Sequence, residues 1–361
     1  MKKKIVPIAL SLMAFTACNS VPQFKINGNV EGMQTGKVFL IKSANSETDT
    51  LAQADITDSK FNMTGSVSGL TAAYLVLEGQ KGGALIFIDN FPMTAKLNAA
   101  KPYESKIEGT EAQQLYNQYS SITNEIRKQH SALIEEYSQT NDTVKIKNFE
   151  NDYHKIMRIA EEKEKALTLA HSDSYVTAYM LAGKMASLPL EQIEENYALL
   201  GENARSSEPG QKIAQRIEKL KTVSIGKTAP NFQQNTPEGK PLSLHSIKSK
   251  VKIIDFWASW CGPCRLENPN IKAIYKDFHS KGLEILSVSL DSDKEAWLKA
   301  IKEDQLPWHH VSDLKGWYNE AARLYVVNAV PHLIVVDEDN IIIAKNLRGE
   351  ELRTKITEIL K

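Results

Sequence analysis

The stretch Val251-Lys252-Ile253-Ile254-Asp255-Phe256-Trp257-Ala258-Ser259-Trp260-Cys261-Gly262-Pro263-Cys264 sets the fold of the C-terminal part of this chain. Val251 to Trp257 is an apolar run of strand length, and Cys261 to about Ser280 then has helical character. Leu283 to Leu290 is a second strand, so the three segments predict a βαβ unit. Beyond it the pattern predicts helices near Lys294 to Gln305 and Trp317 to Tyr325, strands at His332 to Asp337 and Ile341 to Asn346, and a last helix from about Glu350. This order predicts an α/β domain over residues 222–361, opened by Gly226-Lys227-Thr228-Ala229-Pro230-Asn231-Phe232.

Upstream the composition changes twice. Residues 24–108 hold short β-rich runs, among them Lys37 to Ile41, Tyr74 to Leu77 and Ala84 to Ile88. Turn-forming stretches with Gly28, Gly32, Gly36, Gly65, Gly69 and Gly79 separate them, which predicts a small antiparallel β domain. Residues 109–221 read as helical. Thr110 can cap a helix with Gln113 returning the bond, and Leu115, Tyr119, Ile122, Ile126, Leu133 and Tyr137 then recur on one face. Ile146, Phe149, Tyr153 and Ile156 continue the spacing, with breaks near Ser187-Leu188-Pro189 and Ser207-Glu208-Pro209-Gly210. The polar outer faces read most simply as solvated surface, with a partner groove or dimer seam as the other option.

A chain of 361 residues suits two or three domains. Lys plus Arg equals Asp plus Glu at 44 each, so no global field favours nucleic acid, and none is expected as a partner. Gly226-Lys227-Thr228 is no phosphate loop, because position 221 is Lys where that pattern needs Gly. Met1-Lys2-Lys3-Lys4 precedes a 13-residue run from Ile5 to Ala17, which reads as a signal peptide over residues 1–17. The run contains Pro7 and falls short of the roughly 20 apolar residues a membrane span needs. Phe15-Thr16-Ala17-Cys18 resembles a bacterial lipobox, with Phe15 in place of the usual Leu. That resemblance implies lipidation of Cys18, a short linker over residues 18–23, and a protein tethered to a membrane on the periplasmic side of a bacterial envelope. The chain has three cysteines, so lipidation of Cys18 leaves Cys261 and Cys264 as one pair in an oxidising compartment.

With its Cys-Gly-Pro-Cys motif in strand context, its flanking aromatics and Val330-Pro331 further on, the last domain resembles the thioredoxin superfamily, and within it the exported TlpA and ResA-like branch. The β-rich region resembles the N-terminal module of uncharacterised role that often precedes such a domain in bacterial lipoproteins. The expected fold class is therefore multidomain: an α/β thioredoxin-like C-terminal domain preceded by a small β domain and a helical region.

The resemblance implies a thiol-disulfide oxidoreductase that needs no cofactor. Cys261 stands at the N-terminus of the predicted helix, where free amides and the helix dipole stabilise a thiolate, so it is the attacking sulfur. Cys264, one turn on, resolves the mixed disulfide. A zinc site would need about four ligands, and the chain has no second Cys pair and no His pair at finger spacing. A covalent haem would need His after Cys264, where Arg265 stands. An inert structural disulfide is the remaining alternative.

Asp255 matches the buried carboxylate that takes the proton of the resolving cysteine in thioredoxins, while Ser287 stands where they usually place a lysine. Glu267 matches an acidic residue of ResA-like active sites, so two acids compete for the proton. Pro331 matches the cis-proline loop, which implies that Val330 offers its backbone to a substrate chain. His332 is either a substrate contact or a structural histidine, and Pro269 falls at the family's helix kink. Trp257 is expected in the core, and Trp260 beside the sulfurs as an apolar docking surface.

The leading expectation is a reductase of protein disulfides, re-reduced by a membrane electron donor of the DsbD or CcdA kind. An oxidase or isomerase, a peroxidase suggested by Ala229-Pro230-Asn231-Phe232, and a ligand-binding lipoprotein with a subsidiary thioredoxin-like domain are the alternatives.

Overall fold

The computed structural model describes residues 22–44, 47–138 and 143–361; the expected signal segment and Cys18 lie outside the described residues. The chain divides into two compact units, with the boundary between Val176 and Thr177.

The first unit contains β1 (Phe24–Glu31), β2 (Gly36–Ala44), β3 (Glu47–Ile56), β4 (Lys60–Gly65), β5 (Thr71–Leu77), β6 (Ala84–Ile88), β7 (Pro92–Asn98) and β8 (Lys106–Glu108). They form two four-stranded sheets, ordered β4-β1-β7-β8 and β3-β2-β5-β6. Inward residues of both, such as Phe24, Ile26, Met93 and Leu97 against Leu40, Leu75 and Ile86, build one shared core. Period-two burial along β1 and β7 is what a sheet with one wet face requires. One pairing departs from the antiparallel expectation: β1 and β7 run parallel, with Ile26 opposite Met93 and Val30 opposite Leu97. Short turn signals report only local hairpins, so this long-range contact leaves no local mark.

Two long helices follow, α1 (Glu111–Ser138) and α2 (Thr143–Ala170), and they pair antiparallel. Tyr119 bonds Thr168 through their hydroxyls, and the Tyr137 hydroxyl donates to Asp152. Thr110 caps α1 by accepting from the Gln113 backbone N–H at 3.1 Å. Gln113 does not return the bond. Its buried amide instead accepts from the Phe87 backbone and donates to Asn117, which spends the side chain on fixing α1 to the sheet.

The helical region expected over 109–221 is divided by the unit boundary. After α3 (Tyr175–Lys184), the helices α4 (Leu190–Ala198), α5 (Glu202–Ser206) and α6 (Glu208–Thr222) bury Leu181, Ile193, Ala204, Ile213 and Ile217 in a core of their own. Ser207 caps α6, accepting from Gly210 N–H, with Pro209 in the first turn where a missing donor costs nothing. Asn328 joins this helical part to the rest of the second unit, donating to the Ala186 carbonyl and accepting from Arg216.

The remaining elements are β9 (Gln233–Asn235), β10 (Pro241–Ser243), β11 (Val251–Trp257), α7 (Gly262–Phe278), β12 (Leu283–Ser289), α8 (Lys294–Asp304), β13 (His309–Val311), α9 (Glu320–Leu324), β14 (His332–Asp337), β15 (Ile342–Lys345) and α10 (Gly349–Ile359). Their five-stranded sheet has the order β13-β12-β11-β14-β15, with β11 parallel to β12 and antiparallel to β14. This is the thioredoxin arrangement. The segment expected as one helix from Trp317 to Tyr325 is a 3-10 turn and then α9, because Asn319 between them caps α9 with its side-chain oxygen. Among the described residues no helix is long and apolar enough to cross a membrane.

Helix α6 passes so close to α5 that a Cβ on Gly210 would stand 2.1 Å from the Ala204 carbonyl oxygen. Gly210→Ala is therefore expected to destabilise the second unit by roughly 1–3 kcal/mol, outweighing the usual gain of about 0.4–1 kcal/mol from a stiffer unfolded chain. Urea unfolding followed by tryptophan fluorescence measures this, and an unchanged or raised midpoint would contradict the close approach.

Candidate active site

Every residue of β11 is buried, and the strand delivers the chain through Ala258 and Ser259 to Cys261. Cys261 is the N-cap of α7, and its sulfur accepts from the Cys264 backbone N–H at 3.2 Å. The two cysteines form a disulfide with their Cα atoms 5.3 Å apart. Both are nearly covered, at 4% and 2% exposure, whereas Gly262 and Pro263 between them are open to solvent. Pro269 lies inside α7, as expected.

The loop ahead of Cys261 is held by a residue that sequence reasoning missed. Asp291 is buried just after β12, and its carboxylate accepts from the Ser259 backbone, the Ser259 hydroxyl and the Ser289 hydroxyl. The only signal available was an acid directly after an apolar strand. Arg265, one residue past Cys264, forms a two-point ion pair with Asp304 at the end of α8, and Asn268 donates to the same carboxylate. These bonds fix the first turns of α7, and Arg265 also donates to the Ser259 carbonyl of the loop that Asp291 holds.

Asp255 lies in the middle of β11, 3% exposed. Among the described residues its one hydrogen bond comes from the Ser287 hydroxyl at 2.9 Å, and Ser287 in turn accepts from the Trp308 indole at 2.8 Å. Ser287 stands directly opposite Asp255 on β12, so the position expected for a lysine supplies a neutral donor. Burial pushes the Asp255 carboxyl up to about 6; the Ser287 bond pulls the other way, and the negative charge of Glu267 adds to the rise.

Glu267 is half-buried on α7, and its carboxylate accepts from Asn270 and from the Gly349 backbone N–H at the start of α10. It thus ties two helices together at a helix N-terminus, a favourable place for an anion. It bonds neither cysteine, and it acts on Asp255 through its charge.

Trp260 is 55% exposed beside the cysteines in sequence and packs its ring 6.0 Å from that of Trp317, itself 48% exposed. Trp257 is fully buried, as expected. The Val330–Pro331 peptide is cis and lies one step beyond the Phe256 and His332 pair that joins β11 to β14. The Pro331 carbonyl accepts from Arg348 at 3.0 Å. His332 sits against the Phe256 ring, its Nε2 buried without a hydrogen-bond partner among the described residues, and burial pushes its pKa down to about 4.

A thioredoxin fold with a cysteine pair at the start of its first long helix, a buried acid on the incoming strand and a cis-proline ahead of the antiparallel strand defines the class. Residues 225–345 match the AhpC/TSA family, and residues 24–116 match a domain of unknown function, DUF4369. The thiol-disulfide oxidoreductases ResA of Bacillus thuringiensis subsp. konkukian and of Bacillus cereus are each 32% identical to this chain over 143 residues, covering 40% of it and 80% of either relative. A thiol-disulfide oxidoreductase from Bacteroides fragilis is a similar solved structure, 35% identical over 37% of this chain and 99% of that one, with a TM-score of 0.35. The chain belongs to the ResA-like family of thioredoxin-fold proteins.

Because the Asp255 carboxyl is raised, the unfolded chain releases this proton near its ordinary 3.8 while the folded chain keeps it to about 6. Stability therefore falls as pH rises through that window. Asp255→Asn is expected to remove this slope and to raise stability near neutral pH by up to about 3 kcal/mol. Unfolding midpoints at several pH values measure both; a variant with the wild-type slope would place the titration elsewhere.

Proposed function

We propose that this thiol-disulfide oxidoreductase reduces disulfides of client proteins outside the cytoplasm through the Cys261–Cys264 dithiol. The observation that carries the reading is the cysteine pair at the N-terminus of α7, reached from a strand that buries Asp255.

In the reduced protein, the Cys261 thiolate attacks one sulfur of a client disulfide, forming a mixed disulfide and releasing the other client sulfur as a thiolate that takes up a proton. Cys264 then gives its proton to Asp255 and attacks the Cys261 sulfur. The client's second sulfur leaves, the client has gained two electrons, and the Cys261–Cys264 disulfide is formed. A carboxylate with a pKa of about 6 is matched to taking a thiol proton near neutral pH and passing it on. Trp260, with Val330 and Pro331, would hold the client chain against the sulfurs.

The Gly262-Pro263 dipeptide supports the reductive direction, since it is that of thioredoxin, whose potential is about −270 mV against about −120 mV for the oxidant DsbA. An oxidised pair outside the cytoplasm then needs re-reduction, for which a membrane donor of the DsbD or CcdA type is the proposed partner. Cys18 would hold the protein at the membrane by its lipid, within the periplasm of a bacterial envelope.

Equilibration with redox buffers is expected to give a potential close to that of thioredoxin; a value near that of DsbA would reverse the direction. Stopped-flow reduction of a small disulfide should show Asp255→Asn slowing resolution of the mixed disulfide about tenfold or more, with the first attack little changed. Equal rates, with Glu267→Gln impaired instead, would move the proton to Glu267. Mass spectrometry of the mature protein is expected to find a lipidated Cys18 as its first residue, and an unmodified N-terminus starting elsewhere would refute the anchor.

A further inference from the structure

The redox chemistry leaves one large feature of the second unit unused: an open cavity of about 700 Å³ that shares Pro331 with the cysteine site. One wall is the turn between α3 and α4 together with α6, and the other is the loop that carries the cis-proline and the chain leaving β15. The first wall lies ahead of residues 225–345, the part that matches the AhpC/TSA family. The pocket is thus built by joining this chain's own helices to the shared fold.

Its charge is lopsided. Arg216, Lys345 and Arg348 line it against one acid, Glu191, in a chain whose charges otherwise balance. Among the described residues, none of these three cations has an ion pair within 4 Å. Arg216 Nε and His332 Nε2 are both buried with no hydrogen-bond partner, and both residues line the cavity. Burial pushes the Arg216 and Lys345 pKa values down, and at Lys345 the charge of Glu191 offsets only part of that cost. Arg348 is anchored by the Pro331 carbonyl, which sets its guanidinium at the border between pocket and redox site. Leu188, Pro189, Leu220 and Ile225 supply the apolar remainder.

We propose that this pocket docks an acidic, extended segment of the client polypeptide, next to the disulfide that Cys261 attacks. A client Asp or Glu supplies Arg216 with an anion and adds to the partial compensation that Glu191 gives Lys345, and the apolar wall covers the chain on either side. The volume suits one or two side chains and their backbone. Because Pro331 belongs to both sites, an occupant there lies within a few residues of the chain presented to the cysteines. The inference rests on the reductase reading of the Cys261–Cys264 pair and names the class of client it selects.

The test uses the full chain and two disulfide peptides that differ only in two Asp or two Asn residues beside the cysteine. Wild-type protein is expected to reduce the Asp peptide with about tenfold higher kcat/KM, through KM, and to lose that preference in high salt. Arg216→Gln with Lys345→Gln should bring the ratio of the two peptides to about one, while Arg216→Lys with Lys345→Arg, which keeps the charge, should retain most of it. Equal rates for wild type on the two peptides would overturn the proposal, whatever the variants do. If neither peptide is reduced, the reductase reading fails, and calorimetric binding of the same peptides still decides the pocket: tighter binding of the Asp peptide supports it and equal binding overturns it. Succinate binding that displaces the peptide at similar affinity would also overturn it, by assigning the pocket to a small free acid.

Discussion

The placement of β11 is the constraint on which the second unit depends. All seven of its residues are out of water, flanked by β12 on one side and β14 on the other, so its register is fixed from both edges. A slip of one residue would turn Asp255 to the other face of the sheet and displace the loop that carries Cys261. Hydrophobic burial thus does more than stabilise: it sets which sulfur caps α7 and which acid lies behind it. The polar atoms that this burial traps must then be satisfied one by one. Lys252 shows how, with its amine reaching the Ile247 carbonyl and Asn340.

The three acids around the site are distinguished by how completely they are satisfied. Asp291 accepts three hydrogen bonds and holds the loop before Cys261, which gives its carboxyl a fixed structural task. Glu267 spends its carboxylate on Asn270 and on the first amide of α10. Asp255 has a single hydroxyl donor, and that donor is shared with the Trp308 indole. An acid with one weak partner in a dry strand is the one whose protonation is held near neutral pH, and a neutral serine opposite it leaves the carboxyl higher than a lysine would. Of the two acids that compete in the sequence, Asp255 is the one whose environment suits the proposed proton transfer, and the charge of Glu267 adds to its raised pKa.

Legibility followed the range of the physics. β11 and β14 were readable to the residue, because mostly apolar runs of strand length are local signals. So was the cysteine pair, whose meaning rests on four adjacent residues. Three-residue strands such as β13 were not, since an edge strand of His309, His310 and Val311 has no periodicity to detect and is defined by its pairing with β12. Gln113 had the right identity and the right spacing for a capping box, yet its side chain bonds Phe87. The competing donor, the Phe87 backbone N–H, lay 26 residues away in sequence, where a local rule cannot see it. Asp291 escaped for the same reason: its partners at Ser259 come from the neighbouring strand's loop.

The division of the helical region carries the largest functional consequence. Composition placed the boundary near residue 222, where Gly, Thr and Pro replace charged helix. Packing places it in the first turn of α3, between Val176 and Thr177, because the rest of α3 with α4 to α6 buries a core of its own and Asn328 fastens that core to the cis-proline loop through Ala186 and Arg216. A thioredoxin fold taken alone presents its cysteines on an open surface, and the chemistry of disulfide exchange selects little among accessible disulfides. Selectivity must come from contacts made beside the sulfurs. Here the residues ahead of the shared fold supply one wall of a charged pocket whose other wall is the cis-proline loop. Fusing that wall to the fold at Asn328 makes the position of the pocket relative to the cis-proline a property of one packed unit, so recognition and chemistry are held in register by the same hydrogen bonds.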